Sequence, residues 1–138
     1  MRFLLDENEI PAILDPLRLL YEDHVFDEAR EIGLGGKEDV PLIHAAAREG
    51  YHALITRDKH QLSDRKEREA LVETGLHWIG HREPDVGIAG IACLIAGYVS
   101  AFPHILEHLN GDPAVTAYHV RNVPRQVGQR VAIRPIRL

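Results

Sequence analysis

Two short runs of this chain are too apolar to lie in water and too short to be core helices, and both stop at acids. Residues 2–5 (RFLL) end at Asp6, and residues 52–56 (HALIT) end at Arg57 and Asp58. Runs of this length read as buried strands. What lies between them has a different period. Residues 10–20 place apolar side chains at 10, 13, 14, 17 and 20, the spacing of a helix, with Pro11 in its first turn and Pro16 expected to kink or split it. A short strand is expected at 24–26, and the glycines of 32–36 mark a loop.

The alternation continues. Residues 39–48 read as a helix that Asp39 can cap, with Pro41 in the first turn and Gly50 after the end. A charged helix is expected over 64–74, a strand at 76–79, and a long apolar helix from 86 to 102 that 104–109 extend past Pro103. Strands alternating with helices at these intervals predict a three-layer α/β/α sandwich with a mainly parallel central sheet. The end of the chain reads otherwise. Residues 116–121 and 130–136 look like two strands around a loop holding Pro124 and Gly128, which predicts an appended β-hairpin. Residues 1–109 are then the main domain and 110–138 a hairpin extension of it.

Bulk properties narrow the class. A chain of 138 residues forms one domain, and 45% hydrophobic with 27% charged residues excludes disorder. The single cysteine, Cys93, excludes an internal disulfide, and the opening MRFLLDENEI has no signal-peptide pattern, so a cytoplasmic setting is expected. The uncharged run 86–102 holds Gly87, Gly90, Gly97 and Ser100 and stops at Pro103 just short of spanning length. It reads as a core helix, and no membrane association is expected. Residues 1–109 carry 11 basic and 20 acidic side chains, net −9, whereas 110–138 carry five arginines and one aspartate, net +4. An acidic body with a basic tail is unlike a general DNA coat.

The acids at the strand ends carry the chemistry. If the strands before Asp6 and Asp58 are parallel neighbours, both carboxylates emerge at the C-terminal edge of the sheet, where such folds bind ligands. Asp39 opens the helix that runs back into the second of those strands, so it belongs to the same edge. Three carboxylates gathered there repel one another unless a cation lies between them. A hard cation, Mg²⁺ or Mn²⁺, suits oxygen ligands, and phosphodiester hydrolysis suits such a cation. Singly, each acid has a plainer reading: Asp6 starting a turn with Glu7 and Asn8, Asp39 capping a helix, Asp58 capping the turn after it. The joint pattern favours a site. Arg57, Lys59 and Arg65 surround Asp58 in sequence and are candidates for positioning the phosphates of a substrate strand. Lys66 and Arg68 read as a solvated helix face paired with Asp64, Glu67 and Glu69.

Other residues give weaker signals. His104 and His108 have the spacing of two ligands on one helix face, but no HExxH accompanies them, and His24, His44, His52 and His77 form no ligand set. Gly90, Cys93, Gly97 and Ser100 make a stripe of small side chains suited to packing inside the domain or to a homodimer. Trp78 and Phe102 read as core.

Three segments together, LLDEN at 4–8, LGG-x-x-D at 34–39 and LITRDK at 54–59, resemble the small PIN-like family that includes VapC-type toxins. The resemblance spans residues 1–81. It implies that Asp6, Asp39 and Asp58 bind Mg²⁺ or Mn²⁺ and cleave single-stranded RNA, and that the chain is the toxin of a type II toxin–antitoxin pair, held by a cognate antitoxin protein. One position departs. Related sequences often carry a further acid two residues after the one matching Asp58, and here that residue is His60; Asp64 is the candidate replacement. Two alternatives stand beside this reading. One is a PIN-like binding module with a decayed site that acts through a protein partner. The other is a receiver-like phosphoacceptor domain, against which the absence of any lysine after Lys66 counts heavily.

Overall fold

In the computed structural model of the chain, residues 1–57, 60–81, 88–124 and 126–138 are described, the side chains of His60, Gln61 and Ile88 excepted. The elements, in order, are β1 (Arg2–Leu5), a 3-10 turn (Pro11–Ile13) leading into α1 (Leu14–Leu20), β2 (Val25–Glu28), α2 (Asp39–Arg48), β3 (Ala53–Ile55), α3 (His60–Ser63), α4 (Arg65–Thr74), β4 (His77–His81), α5 (Ile88–Asn110), β5 (Ala117–Val120) and α6 (Val127–Arg130). The five strands form one sheet in the order β2-β1-β3-β4-β5, and every neighbouring pair is parallel.

The three central strands, β1, β3 and β4, are buried on both faces because their side chains alternate between two cores. Phe3, Leu5, Phe26, Ala53, Ile55, Ile79 and Val120 face α1 and α5, packing on Leu14, Leu17, Leu94, Tyr98 and Phe102. Leu4, Leu54 and Trp78 face the other way, onto Leu42, Ile43 and Ala46 of α2 and Ala70 and Leu71 of α4. This is the expected three-layer sandwich. The outer edge of β2 is partly blocked by Arg18, whose Nε and Nη2 donate to Phe26 O at 2.9 and 2.6 Å.

Late in the chain, the apolar helix continues past Pro103 as expected, α5 running through it. A proline there removes the N–H that would have reached the carbonyl four residues earlier. That carbonyl, Val99 O, accepts instead from the Tyr21 hydroxyl at 2.7 Å, and buried Phe102 and Ile105 hold the helix on both sides of the proline. One late expectation needs correction: the appended hairpin is not formed. Its first half is β5, which joins the main sheet parallel to β4, and residues 131–138 carry no strand. The 23 residues of α5 return the chain to the starting edge of the sheet, so the next strand must run parallel, which a tight hairpin cannot achieve.

That last crossover has its own geometry. Steps β2 to β3 and β3 to β4 move one way across the sheet with their helices on the α2 face. The step β4 to β5 moves the same way with α5 on the opposite face. It is therefore opposite in hand to the others, an uncommon arrangement. As a result α5 leaves the α2–α4 side of β5 uncovered, and Ala117 and His119 are exposed there. By length and composition Ala89–Asn110 would pass for a membrane-spanning helix. It packs Leu94, Tyr98, Phe102, Ile105 and Leu109 on the sheet as one stripe and leaves Ala89, Ile91, Ala92 and Ala96 exposed.

Candidate functional site

The strand order reverses direction between β1 and β3, the point at which open parallel sheets bind ligands at their C-terminal ends. Asp6 follows β1 and Thr56 follows β3 at this place, and they meet across it. The Thr56 hydroxyl donates to Asp6 Oδ2 at 3.0 Å, and Asp6 N–H continues the ladder to Ile55 O at 2.9 Å. The next strand closes in equally tightly. A side chain at Gly80 of β4 would place its Cβ 2.2 Å from the Trp78 ring and 2.5 Å from Thr56 O, so only glycine fits beside this strand end.

Asp6 is 4% exposed. Burial raises its carboxyl pKa above the ordinary 3.8, and the charge of Asp39 pushes the same way; the Thr56 hydroxyl and the backbone N–H groups of Glu7 and Asn8 oppose the shift without cancelling it. Asp39 thus stands close enough to Asp6 to repel it. It is the first residue of α2, while the cap position is held by Glu38, which makes no side-chain capping bond. Its carboxylate sits in the favourable first turn of the helix dipole.

Glu7 joins the first two sequence motifs physically. Its Oε2 accepts the Gly36 N–H at 2.9 Å, and its carbonyl accepts from Arg30 Nη2 at 3.2 Å. The glycine loop leading to Asp39 is therefore hung from the same turn that carries Asp6. Beyond it, Glu9 is 4% and His81 1% exposed, with Glu9 Oε2 3.4 Å from His81 Nδ1. The Tyr98 hydroxyl lies 2.6 Å from that same nitrogen.

Of the residues expected at the site, Asp6 and Asp39 come together. Asp58 and Lys59 lie outside the described residues, as does the side chain of His60. Arg57 follows β3 at the same edge and is half-buried. Asp64 serves as the N-cap of α4, accepting the Glu67 N–H on Oδ1 at 3.1 Å. Arg65 pairs with Glu69 at 2.7 Å on the exposed face of α4. Thr56, Glu9, His81 and Tyr98 were not singled out by sequence as site residues. Tyr98 alone left a trace, lying on the apolar stripe 94, 98, 102, 105, 109, where a buried hydroxyl needs a partner.

Among the described residues no group of three His, Cys, Asp or Glu side chains is gathered so as to hold a metal ion. Two mutually repelling carboxylates nevertheless suit a hard cation. Mg²⁺ is commonly held by one or two carboxylates, with water and substrate phosphate supplying the other ligands. Asp6 and Asp39, with Thr56 orienting the former, fit that chemistry.

Residues 1–81 match the family model described as a PIN like domain. Searches of curated proteins and of solved structures gave no significant match. The matched stretch runs from the first residue through β4 and includes both carboxylates and the loop between them, and it covers more than half of the chain. The chain belongs to the PIN-like domain family.

Proposed function

We propose that the protein is a Mg²⁺- or Mn²⁺-dependent endoribonuclease that hydrolyses single-stranded RNA. The observation that carries this reading is the pair Asp6 and Asp39 at the switch point of the sheet, with Asp6 buried and its pKa raised partly by its neighbour's charge. Two neighbouring acids whose charges repel favour a cation held between them. When bound, the cation would polarise a phosphodiester and lower the pKa of an attacking water. Asp6 and Asp39 would hold it, together with Asp58 as the third acid; the Thr56 hydroxyl fixes the Asp6 carboxylate. Arg57 and Lys59, next in sequence, would position the phosphates of the strand, with Arg65 further along. We leave Asp64 out of the ligand set because its carboxylate caps α4.

The finer reading is a toxin restrained by a cognate antitoxin protein in the cytoplasm, with a homodimer as a further assembly. It rests on the resemblance of LLDEN, LGG-x-x-D and LITRDK to VapC-type toxins. The test is direct. Purified protein, freed of any antitoxin, should cut single-stranded RNA with Mg²⁺ or Mn²⁺ and stop with EDTA. Failure to cut RNA with either metal would overturn the proposal and leave the binding-module alternative.

A further inference from the structure

The turn that carries Asp6 ends in a polar group buried as deeply as any core side chain. The Glu9 side chain is 0% exposed, and so is that of His81. Glu9 Oε1 accepts the Ile10 N–H at 3.0 Å, while Oε2 faces His81 Nδ1 at 3.4 Å. His81 Nδ1 also meets the Tyr98 hydroxyl at 2.6 Å, with the two rings packed edge to face. Tyr98 is fully buried on α5. Three elements therefore meet through buried polar groups, by a hydrogen bond between His81 and Tyr98 and an ion-pair-distance approach of Glu9 to His81: the turn after β1, the end of β4, and the middle of α5.

The connection from this chain to Asp6 is short. The Glu9 N–H donates to Asp6 O at 3.0 Å, closing the turn. Inside that turn, the N–H groups of Glu7 and Asn8 lie near enough to the Asp6 carboxylate to favour its charged form. Where those amides point depends on where the turn ends, and the turn ends at Glu9. We propose that Glu9, His81 and Tyr98 are positioning residues that set the orientation of the Asp6 carboxylate for a divalent cation. This rests on the reading of Asp6 as a cation ligand.

Packing alone is a poor account of the triad. Burying a carboxylate, an imidazole and a phenol costs desolvation, and apolar side chains of similar volume are often neutral or stabilising in their place. Groups kept despite that cost are expected to hold a geometry. Partners that orient a metal ligand are worth about ten- to a hundred-fold in affinity. Tyr98 lies beyond the matched residues 1–81, so the inference also gives α5 a part in the site.

The experiment compares Tyr98→Phe, Glu9→Leu and Glu9→Gln with the wild type, all as full chains, by Mn²⁺ titration calorimetry and by amide hydrogen exchange without metal. Tyr98→Phe removes one oxygen and Glu9→Leu cuts the tie, so each should weaken Mn²⁺ binding about ten- to a hundred-fold. Glu9→Gln keeps an acceptor for the Ile10 N–H and nearly the same volume, with a polar end still facing His81 Nδ1, and should bind within about three-fold of wild type. Exchange at the amides of Glu7, Asn8 and Glu9 should rise about ten-fold or more in the first two variants while Leu4 and Ile55 stay protected. Unchanged loop exchange in Tyr98→Phe or Glu9→Leu overturns the inference whether or not metal binds. So does wild-type Mn²⁺ affinity in those variants. A wild type that binds no Mn²⁺ would instead sink the metal reading, and the exchange data would still decide the tie. If Glu9→Leu fails to fold, Tyr98→Phe decides alone.

Discussion

The two edges of the sheet are built from opposite chemistry. At the C-terminal edge, Asp6 and Asp39 set acid against acid, and Asp6 is held charged only against burial and repulsion. At the N-terminal edge, three histidines precede or begin strands and bind main chain: His24 Nδ1 meets the terminal amino group at 2.9 Å, His52 Nδ1 accepts the Arg2 N–H at 3.0 Å, and His77 Nδ1 accepts the Thr116 N–H at 3.1 Å. Burial is the first cause that lowers the pKa of both His24 and His77, which keeps them neutral acceptors. One edge sets a buried carboxylate against burial and a neighbouring charge, and the other satisfies backbone donors at the strand starts. The contrast teaches where function sits: sites are found where local rules are broken, and stability where they are kept.

Substitutions at the two edges should therefore fall into different classes. The largest effect is expected from Asp39→Asn, which should lower RNA cleavage at least about a hundred-fold, the scale of losing a preorganised charge at the reacting centre. The fold should be kept, since Asp39 is not the cap of α2 and asparagine gives up only the favourable charge in the first turn, about 0.3–1 kcal/mol. Cleavage assays with circular dichroism on the same samples check both halves. An Asp39→Asn protein as active as wild type would remove Asp39 from the site.

His77→Leu should do the reverse. It leaves the half-buried Thr116 N–H without its acceptor, a loss of about 1 kcal/mol or somewhat more, or roughly 3–5 °C in melting temperature for a chain this size. Metal-dependent activity at 25 °C should be unchanged. Loss of activity without loss of stability would break the division between the edges.

Much of the C-terminal edge was legible in the sequence because its rules are local. The run RFLL became β1 and residues 39–48 became α2 with the expected bounds, and the acid ending the first run stands at the switch point. What was not legible depends on partners distant in the chain. Nothing near Pro103 announces that Tyr21 supplies the missing donor to Val99 O. Residues 116–121 carry the same strand pattern whether they enter a hairpin or a parallel sheet; the length of α5 decides it. His52 and His77, which form no ligand set by spacing, acquire their role only when neighbouring strands bring Arg2 and Thr116 alongside. Nothing in the sequence marks Glu9, whose surroundings come from β4 and α5.

The histidine edge also predicts a pH dependence. The unfolded chain protonates these imidazoles near the ordinary 6.5, whereas the folded protein holds His24 and His77 neutral to lower pH. Below that value the unfolded state binds more protons, so stability should be intact above about pH 6.5 and decline as the pH falls through it toward the lowered folded values. Denaturant midpoints measured from pH 7.5 to 5.5 check this. In His77→Leu the decline should be shallower, and an equal slope would mean that other groups set it.

The smallest expected effect is the sharpest test of the contrast, because its sign is unusual. The folded pKa of Asp6 is raised by burial first and by Asp39 as well, so its contribution to stability is present below the ordinary carboxyl pKa of 3.8 and is lost as the pH rises above it. At neutral pH the charged Asp6 therefore costs the metal-free protein stability. Asp6→Asn removes the charge with hardly any change in volume, and its side-chain oxygen can still accept from Thr56. The metal-free variant should melt higher than wild type, by about 3–5 °C for each kcal/mol recovered. Adding millimolar Mn²⁺ should reverse the ranking, since a cation that binds only the folded wild type raises its melting temperature by mass action and leaves the variant nearly unmoved. A metal-free Asp6→Asn that melts well below wild type would show that the carboxylate is a structural anchor, held by Thr56 and the turn for the fold's own sake, and the two edges would then differ in charge but not in purpose.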